Sequence, residues 1–113
     1  MAGFVKGDVV LTPFPFSGEE GFKTRPALVL AVLPYGSGSD YLLCIITTQR
    51  VNDPNLLDLD SADFTGGRLT QKCYLRPTYT YAVSENMIKR QLGRLNADKF
   101  DRAVQSLVSA LTR

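Results

Sequence analysis

Two polar clusters in this 113-residue chain lie at the ends of predicted buried strands, and their residue types suit phosphate binding. Arg25 precedes the apolar segment 27–33, while Thr47 and Thr48 close the apolar segment 41–48. If these segments pair antiparallel, the start of the first strand lies beside the end of the second. A guanidinium and two hydroxyl groups would then share one rim of the sheet, where they could hold a phosphate.

Each of these residues also has an ordinary structural interpretation. Arg25 could form a strand-end salt bridge with Asp8 or Glu20. Threonine is common in strands because of its β propensity alone, so the two threonines need no ligand. Glu19 and Glu20 lie in a glycine-rich loop that would hang over the same rim, and loop carboxylates are usually solvated.

Several classes of site are excluded or disfavoured by composition. The chain has no histidine and only two cysteines, Cys44 and Cys73, both in apolar surroundings that predict buried thiols. A zinc site is therefore improbable, and no metal or cofactor is expected. The chain contains no Walker loop, dinucleotide-binding glycine motif or nucleophile elbow. The absence of a signal peptide or a membrane-length apolar segment predicts a cytoplasmic protein.

The charge of the chain is small overall but unevenly distributed. Its net charge is +2, yet residues 53–63 carry four acids and no base. Residues 64–113 carry nine bases and three acids. This imbalance is compatible with a nucleic-acid partner, and equally with solvated surface.

The first three quarters of the chain alternate short apolar segments with Gly- and Pro-rich turns, which predicts antiparallel strands. Pro13 and Pro15 cannot donate to a sheet, so the first strand is expected to lie at an edge or to end there. Strands are also predicted on either side of Arg76 and Pro77, and the tetrapeptide TGGR predicts a tight turn. The predicted strands lie within 7–16, 27–33, 41–48, 56–60, 69–75 and 78–83.

The last part of the chain has helical periodicity. Ser84 is predicted to cap a short helix over 85–92, and Asn96 to cap a longer helix that follows it. An apolar stripe at helical spacing predicts core or dimer packing for Phe100, Ala103, Val104, Leu107, Val108 and Leu111. Short strands finished by a helix favour a small, mainly β barrel in one domain, residues 1–113.

The ordered motifs of the chain resemble the MazF/PemK toxins of type II toxin–antitoxin systems. The similarity runs through GDVVLTPFPF, KTRPALVL, IITTQ, LRP and KRQLGRL, and covers nearly the whole chain. It implies a small SH3-like β-barrel of the type shared by MazF and CcdB, a homodimer, and a cognate antitoxin as partner. It also implies ribosome-independent, metal-independent cleavage of single-stranded RNA, usually at a short sequence, leaving a 2′,3′-cyclic phosphate (or a 3′-phosphate) and a 5′-hydroxyl.

By the same resemblance, Arg25 and Thr47 are the implied catalytic arginine and threonine, and Glu20 the candidate base. Arg25 would stabilise the charge that develops on the phosphorane, because a guanidinium stays protonated in proteins. Thr47 would donate a hydrogen bond to a non-bridging oxygen. The chain departs from the family pattern at Thr78, where relatives often carry an acid.

The remaining candidate residues are expected to bind the RNA around these groups. They are Lys23, Thr24, Thr48, Gln49, Arg50 and Arg76, with Arg68 and Lys72 as weaker candidates. Two other functions remain open at this point. One is a CcdB-like inhibitor that binds DNA gyrase without catalysis, and the other is an inactive relative that binds only antitoxin or RNA.

Overall fold

The computed structural model describes residues 3–13 and 23–113, and its main elements are strands. The strands are β1 Asp8–Pro13, β2 Thr24–Tyr35, β3 Gly38–Thr47, β4 Leu57–Leu59, β5 Phe64–Gly67, β6 Cys73–Ser84 and β7 Arg90–Leu95. A helix, α1, spans Ala97–Thr112, and two 3-10 turns span Ser61–Asp63 and Glu85–Met87. No helix within the described ranges is both long enough and apolar enough to cross a bilayer.

All the described strands belong to one antiparallel sheet, in the order β4-β6-β3-β2-β1-β7-β5, which curls into a half-barrel. β1 pairs with β2 on one side and β7 on the other and ends at Pro13, so of the two predicted alternatives the edge position is wrong and the end of the strand at the first proline is confirmed. Pro13, the last residue of β1, pairs only with Thr24 of β2. Pro13 lies beyond Leu11, the last residue of β1 that pairs with β7. Its missing N–H therefore removes no hydrogen bond to β7.

Both faces of the sheet carry apolar side chains. The helix face, which packs against α1, includes Leu28, Cys44, Ile46 and Leu75. The opposite face has its own cluster, formed by Val10, Ala27, Val29, Tyr41, Leu43, Ile45, Tyr81, Val83 and Ile88. Because neighbouring residues of a strand point to opposite faces, burial on both faces gives the near-continuous apolar runs seen in β2 and β3.

Helix α1 begins as the sequence predicts. The Asn96 side chain accepts a hydrogen bond from the Lys99 amide at 2.8 Å, which satisfies one of the free N–H groups of the first turn. Ala103 is fully buried against the sheet, and Phe100, Val104 and Leu107 pack on the same cluster. The last two residues of the apolar stripe differ, since Val108 is 45% exposed and Leu111 74% exposed.

The short helix predicted after Ser84 is wrong. Residues Glu85–Met87 form a single 3-10 turn, and the following residues form strand β7. β7 pairs with β1 and with β5, so hydrogen bonds to distant segments override the local helical pattern.

Two further expectations in the region of β5 and β6 are also corrected. The predicted pair of strands around Pro77 is one strand, β6, whose register against β3 shifts between Arg76 and Thr80. The shift in register accommodates the buried Pro77 without ending the strand. The predicted TGGR turn lies largely in β5, where Gly67 has a φ of +67° and packs against the backbone of β7. A Cβ at Gly67 would lie 2.2 Å from the Leu92 carbonyl oxygen, so this position requires glycine.

Candidate active site

Strands β2 and β3 bring Arg25 and Thr47 to the same end of the sheet, as the sequence predicts. The last pair of the β2–β3 ladder at this end is Ala27 with Ile45. Arg25 and Thr47 each lie two residues beyond that pair, so they face each other where the ladder has stopped. Pro26, which has no N–H to donate, occupies the point at which the strands separate.

The separation of the strands opens a pocket of about 310 Å³. Its walls combine the polar groups predicted to bind phosphate with apolar residues of the strand ends. The lining residues are Arg25, Pro26, Ile45, Ile46, Thr47, Thr48, Gln49 and Cys73. A pocket of this size and mixed lining can hold a small polar group such as a nucleotide phosphate.

The backbone after β3 fixes the hydroxyl group of Thr47. Its Oγ1 accepts a hydrogen bond from the Gln49 amide at 3.0 Å, which forms a local turn at the end of the strand. A hydroxyl that accepts a hydrogen bond still has its own proton to donate. The Thr47 O–H can therefore donate to a phosphate oxygen in the pocket while its oxygen is held in place.

The salt bridge proposed as an alternative role for Arg25, to Asp8, does not form. Asp8 is buried, and its carboxylate accepts hydrogen bonds from Arg94 at 2.9 Å, Gln91 at 3.1 Å and the Val5 amide at 2.9 Å. Within residues 3–13 and 23–113, Arg25 forms no ion pair. Its exposed guanidinium is thus available to an anion in the pocket.

The other predicted residues divide into three groups. Thr48 and Gln49 line the pocket, whereas Lys23 and Thr24 are exposed at the start of β2 and lie outside it. Glu19 and the candidate base Glu20 fall outside the described residues.

Arg50 and Arg76 lie beyond the pocket, and both are already paired with carboxylates. Arg50 lies 3.7 Å from Asp58, and Arg76 donates to Asp53 at 2.9 Å. Of the two, Arg50 is far more exposed, with 70% of its side-chain surface accessible against 28% for Arg76. Arg50 therefore remains the better candidate for contact with a ligand.

Cys73 belongs to the pocket but was predicted only as a buried thiol. Burial raises the pKa of this thiol, and nearby Lys72 only partly opposes the effect. The raised pKa keeps the sulfur protonated at neutral pH, so it contributes packing rather than a nucleophile. Burial also raises the pKa of Cys44, which is fully buried on the helix face. The prediction that both cysteines pack as apolar residues is confirmed.

Solved structures of similar fold are toxins and nucleases. The chain is 22% identical to Deinococcus radiodurans MazF, with a TM-score of 0.74 over 100% of both chains. It is 19% identical to the Mycobacterium tuberculosis toxin MazF-mt6, with a TM-score of 0.69 over 92% of this chain and 95% of that one. A mycobacterial endoribonuclease bound to its cognate antitoxin is 16% identical, with a TM-score of 0.69 and coverage of 96% and 95%. These similarities confirm the predicted fold.

Sequence comparison gives the family directly. No curated protein sequence matches the chain. A family model described as the PemK-like, MazF-like toxin of type II toxin–antitoxin systems matches residues 5–111. That match includes both strands that form the pocket and all of α1 except its last residue. The chain therefore belongs to the PemK-like, MazF-like family of type II toxins.

Proposed function

We propose that this chain is a sequence-selective, ribosome-independent endoribonuclease that cleaves single-stranded mRNA without a metal ion and so arrests translation and growth. The observation that carries the proposal is the presence of Arg25 and Thr47 in one pocket. An inhibitor that acts only by binding gyrase does not need this phosphate-binding pair. Family membership and the endoribonuclease of similar fold also favour the nuclease.

In the proposed reaction, the substrate's own 2′-oxygen attacks the adjacent phosphorus and the bond to the 5′-oxygen breaks. The products are a 2′,3′-cyclic phosphate and a 5′-hydroxyl. The 2′-hydroxyl proton passes to a base, for which Glu20 remains the candidate, and the departing 5′-oxygen takes up a proton. DNA lacks the attacking hydroxyl and should resist.

Arg25 and Thr47 act on the charge that builds up on the phosphorane. The Arg25 guanidinium provides several N–H donors in a fixed plane, which suits the non-bridging oxygens of a phosphate. The Thr47 hydroxyl, already oriented by the Gln49 amide, donates to one of the same oxygens. Groups positioned in advance stabilise the transition state because they need little reorganisation during the reaction.

The same pocket is proposed as the region that an antitoxin covers. A mycobacterial endoribonuclease of this fold has been solved with its cognate antitoxin, and Deinococcus radiodurans MazF with MazE. We expect a disordered antitoxin segment to bind across the groove and to exclude RNA from Arg25 and Thr47.

We further propose a cytoplasmic homodimer, for which the exposed Val108 and Leu111 of α1 offer one apolar contact surface.

The first prediction tests the proposed activity through Arg25. Purified protein with EDTA present should cut total single-stranded RNA, and Arg25→Ala should lower the rate at least about 100-fold, the usual effect of losing one transition-state donor. Sequencing of the cut ends gives the recognised site. Arg102→Ala is the matched control, because Arg102 is exposed on α1, where it forms an ion pair with Asp98. Cleavage by Arg25→Ala at the rate of the control would refute the assignment.

A further inference from the structure

Tyr74 occupies a position next to the candidate active site that no motif of the chain singles out. In the β3–β6 ladder it lies directly opposite Thr47, on the side away from Arg25. Directly opposite residues of an antiparallel pair place their side chains on the same face of the sheet. Arg25, Thr47 and Tyr74 therefore form a row that crosses three neighbouring strands.

Two cations lie over the ring of Tyr74. The guanidinium carbon of Arg50 lies 5.7 Å from the ring centroid, and the ammonium of Lys72 lies 5.5 Å from it. Both side chains are well exposed, at 70% for Arg50 and 47% for Lys72. The ring itself is partly exposed, and it packs in neither apolar cluster. An aromatic ring together with accessible cations is the usual composition of a surface that binds single-stranded nucleic acid.

The spacing of the row fits an RNA strand that runs across the sheet. Paired neighbouring strands are about 4.8 Å apart, so Tyr74 lies about one strand spacing from Thr47, and Arg25 lies further along the row, beyond the point at which β2 and β3 separate. The spacing between Tyr74 and Thr47 is comparable with that between successive groups of an extended RNA strand. A phosphate held by Arg25 and Thr47 would therefore place an adjoining base within reach of Tyr74.

We propose that Tyr74 is a stacking platform for a base that adjoins the cleaved phosphate, and that Arg50 and Lys72 contact the neighbouring phosphates. This inference rests on the proposed ribonuclease function and adds the group that positions its substrate. Stacking is tolerant of base identity, so the platform supplies affinity and register more than sequence selection.

In the free protein, the two cations beside Tyr74 form ion pairs with carboxylates. Asp58 lies 3.7 Å from Arg50, and Asp60 accepts from Lys72 at 2.6 Å. Asp58 also continues the row, because it lies opposite Tyr74 in the β4–β6 ladder. RNA phosphates would replace these carboxylates as partners of the two cations.

The experiment measures binding of a labelled RNA of about ten nucleotides that contains the mapped cut site and carries 2′-O-methyl groups, so that it cannot be cut. Tyr74→Leu should raise its Kd about 10-fold, within the range reported for loss of one stacked base, while Tyr74→Phe should stay within about 2-fold. Tyr35→Leu is the matched control, because Tyr35 is 74% exposed on the β2–β3 hairpin, away from the row.

Abasic substitution of the RNA identifies the stacked base. Removing one particular base should weaken binding by the wild type about 10-fold and leave binding by Tyr74→Leu unchanged, which is the coupling expected of a direct contact.

Arg50→Gln and Lys72→Gln should each reduce the slope of log Kd against log salt by about 0.7. Asp60→Asn should tighten binding, since it frees Lys72.

The possible failures are distinct. A wild type that neither binds nor cuts RNA would refute the proposed function itself. A wild type that cuts RNA, with a folded Tyr74→Leu variant that binds the oligonucleotide equally well, would refute the platform and leave its surface to a protein partner. Equal weakening in Tyr74→Leu and Tyr74→Phe, with no abasic position that depends on Tyr74, would also refute stacking.

Discussion

At the scale of single residues, the candidate site depends on how the chain leaves β3. Thr47 ends the strand, and its hydroxyl accepts from the backbone of Gln49 two residues later. The TTQ segment therefore orients one hydroxyl in the pocket and places Gln49 in the wall beside it. This local turn, together with the exposed guanidinium of Arg25, provides the donors for a phosphate.

The Thr47 hydroxyl can be tested separately from its methyl group. Thr47→Val keeps the shape and β propensity of the side chain but removes the donor, so kcat for RNA cleavage should fall about 10- to 1000-fold. Thr47→Ser restores the donor and should recover most of the activity. Single-turnover cleavage with saturating enzyme gives the comparison, and Thr65→Val, an exposed threonine of β5 outside the pocket, is the control. Full activity in Thr47→Val would remove the hydroxyl from the mechanism.

At the scale of elements, ion pairs attach the segment before β4 to strand β6. Asp53 accepts from the Asn55 amide at 2.9 Å and from the guanidinium of Arg76 at 2.9 Å, with its own side chain only 6% exposed. Arg76 also packs over the ring of Tyr79, 5.0 Å from the centroid. Arg76 is thus a structural anchor in the free protein, and contact with RNA would require it to leave Asp53.

This attachment predicts a pH dependence of stability. Burial alone would raise the pKa of Asp53, but the Asn55 amide and the Arg76 guanidinium outweigh it and lower the pKa. A carboxyl whose pKa is lowered by folding stabilises the fold above its unfolded pKa of about 3.9, and that contribution is lost as pH falls through the lower folded value.

Asp53→Asn should therefore reduce the free energy of unfolding by about 1 to 2 kcal/mol at pH 7, and by progressively less below about pH 4. Urea titrations of both proteins from pH 7 to pH 3 provide the measurement. Asp101→Asn, an exposed acid on α1, is the control. A constant difference between wild type and Asp53→Asn over this pH range would contradict the assigned cause.

At the scale of the whole molecule, helix and sheet share one cluster. The helix-face residues come from β1 at one end of the chain, from α1 at the other, and from most strands between. We propose that the chain is a single domain, because the removal of either part would expose the core of the other.

The expected result is one cooperative unfolding transition. The helix signal in far-ultraviolet circular dichroism and the fluorescence of the buried tyrosines, in a chain without tryptophan, should share a midpoint. Leu28→Ala, at a fully buried site of β2, should lower the free energy of unfolding by about 2 to 5 kcal/mol and shift both midpoints equally. Separate movement of the two signals would show that sheet and helix unfold independently.

The sequence by itself was sufficient for the mainly β class, the long C-terminal helix with its Asn96 cap, and the pairing of β2 with β3. These features depend on local signals, namely apolar periodicity, turn residues and capping side chains. The convergence of Arg25 and Thr47 followed from them, because an antiparallel hairpin fixes which strand ends meet.

Tertiary structure decided the features that depend on partners distant in sequence. Residues 85–92 have a helical pattern, but the chain from Arg90 to Leu95 forms β7, because both neighbouring strands supply hydrogen bonds that a helix there would leave unused. The sequence predicts that Pro77 separates two strands. Strand β6 nevertheless continues through it, because the register of β6 against β3 shifts to accommodate the proline. Tyr74 acquires its place beside Thr47 only through that long-range register, which no local motif encodes.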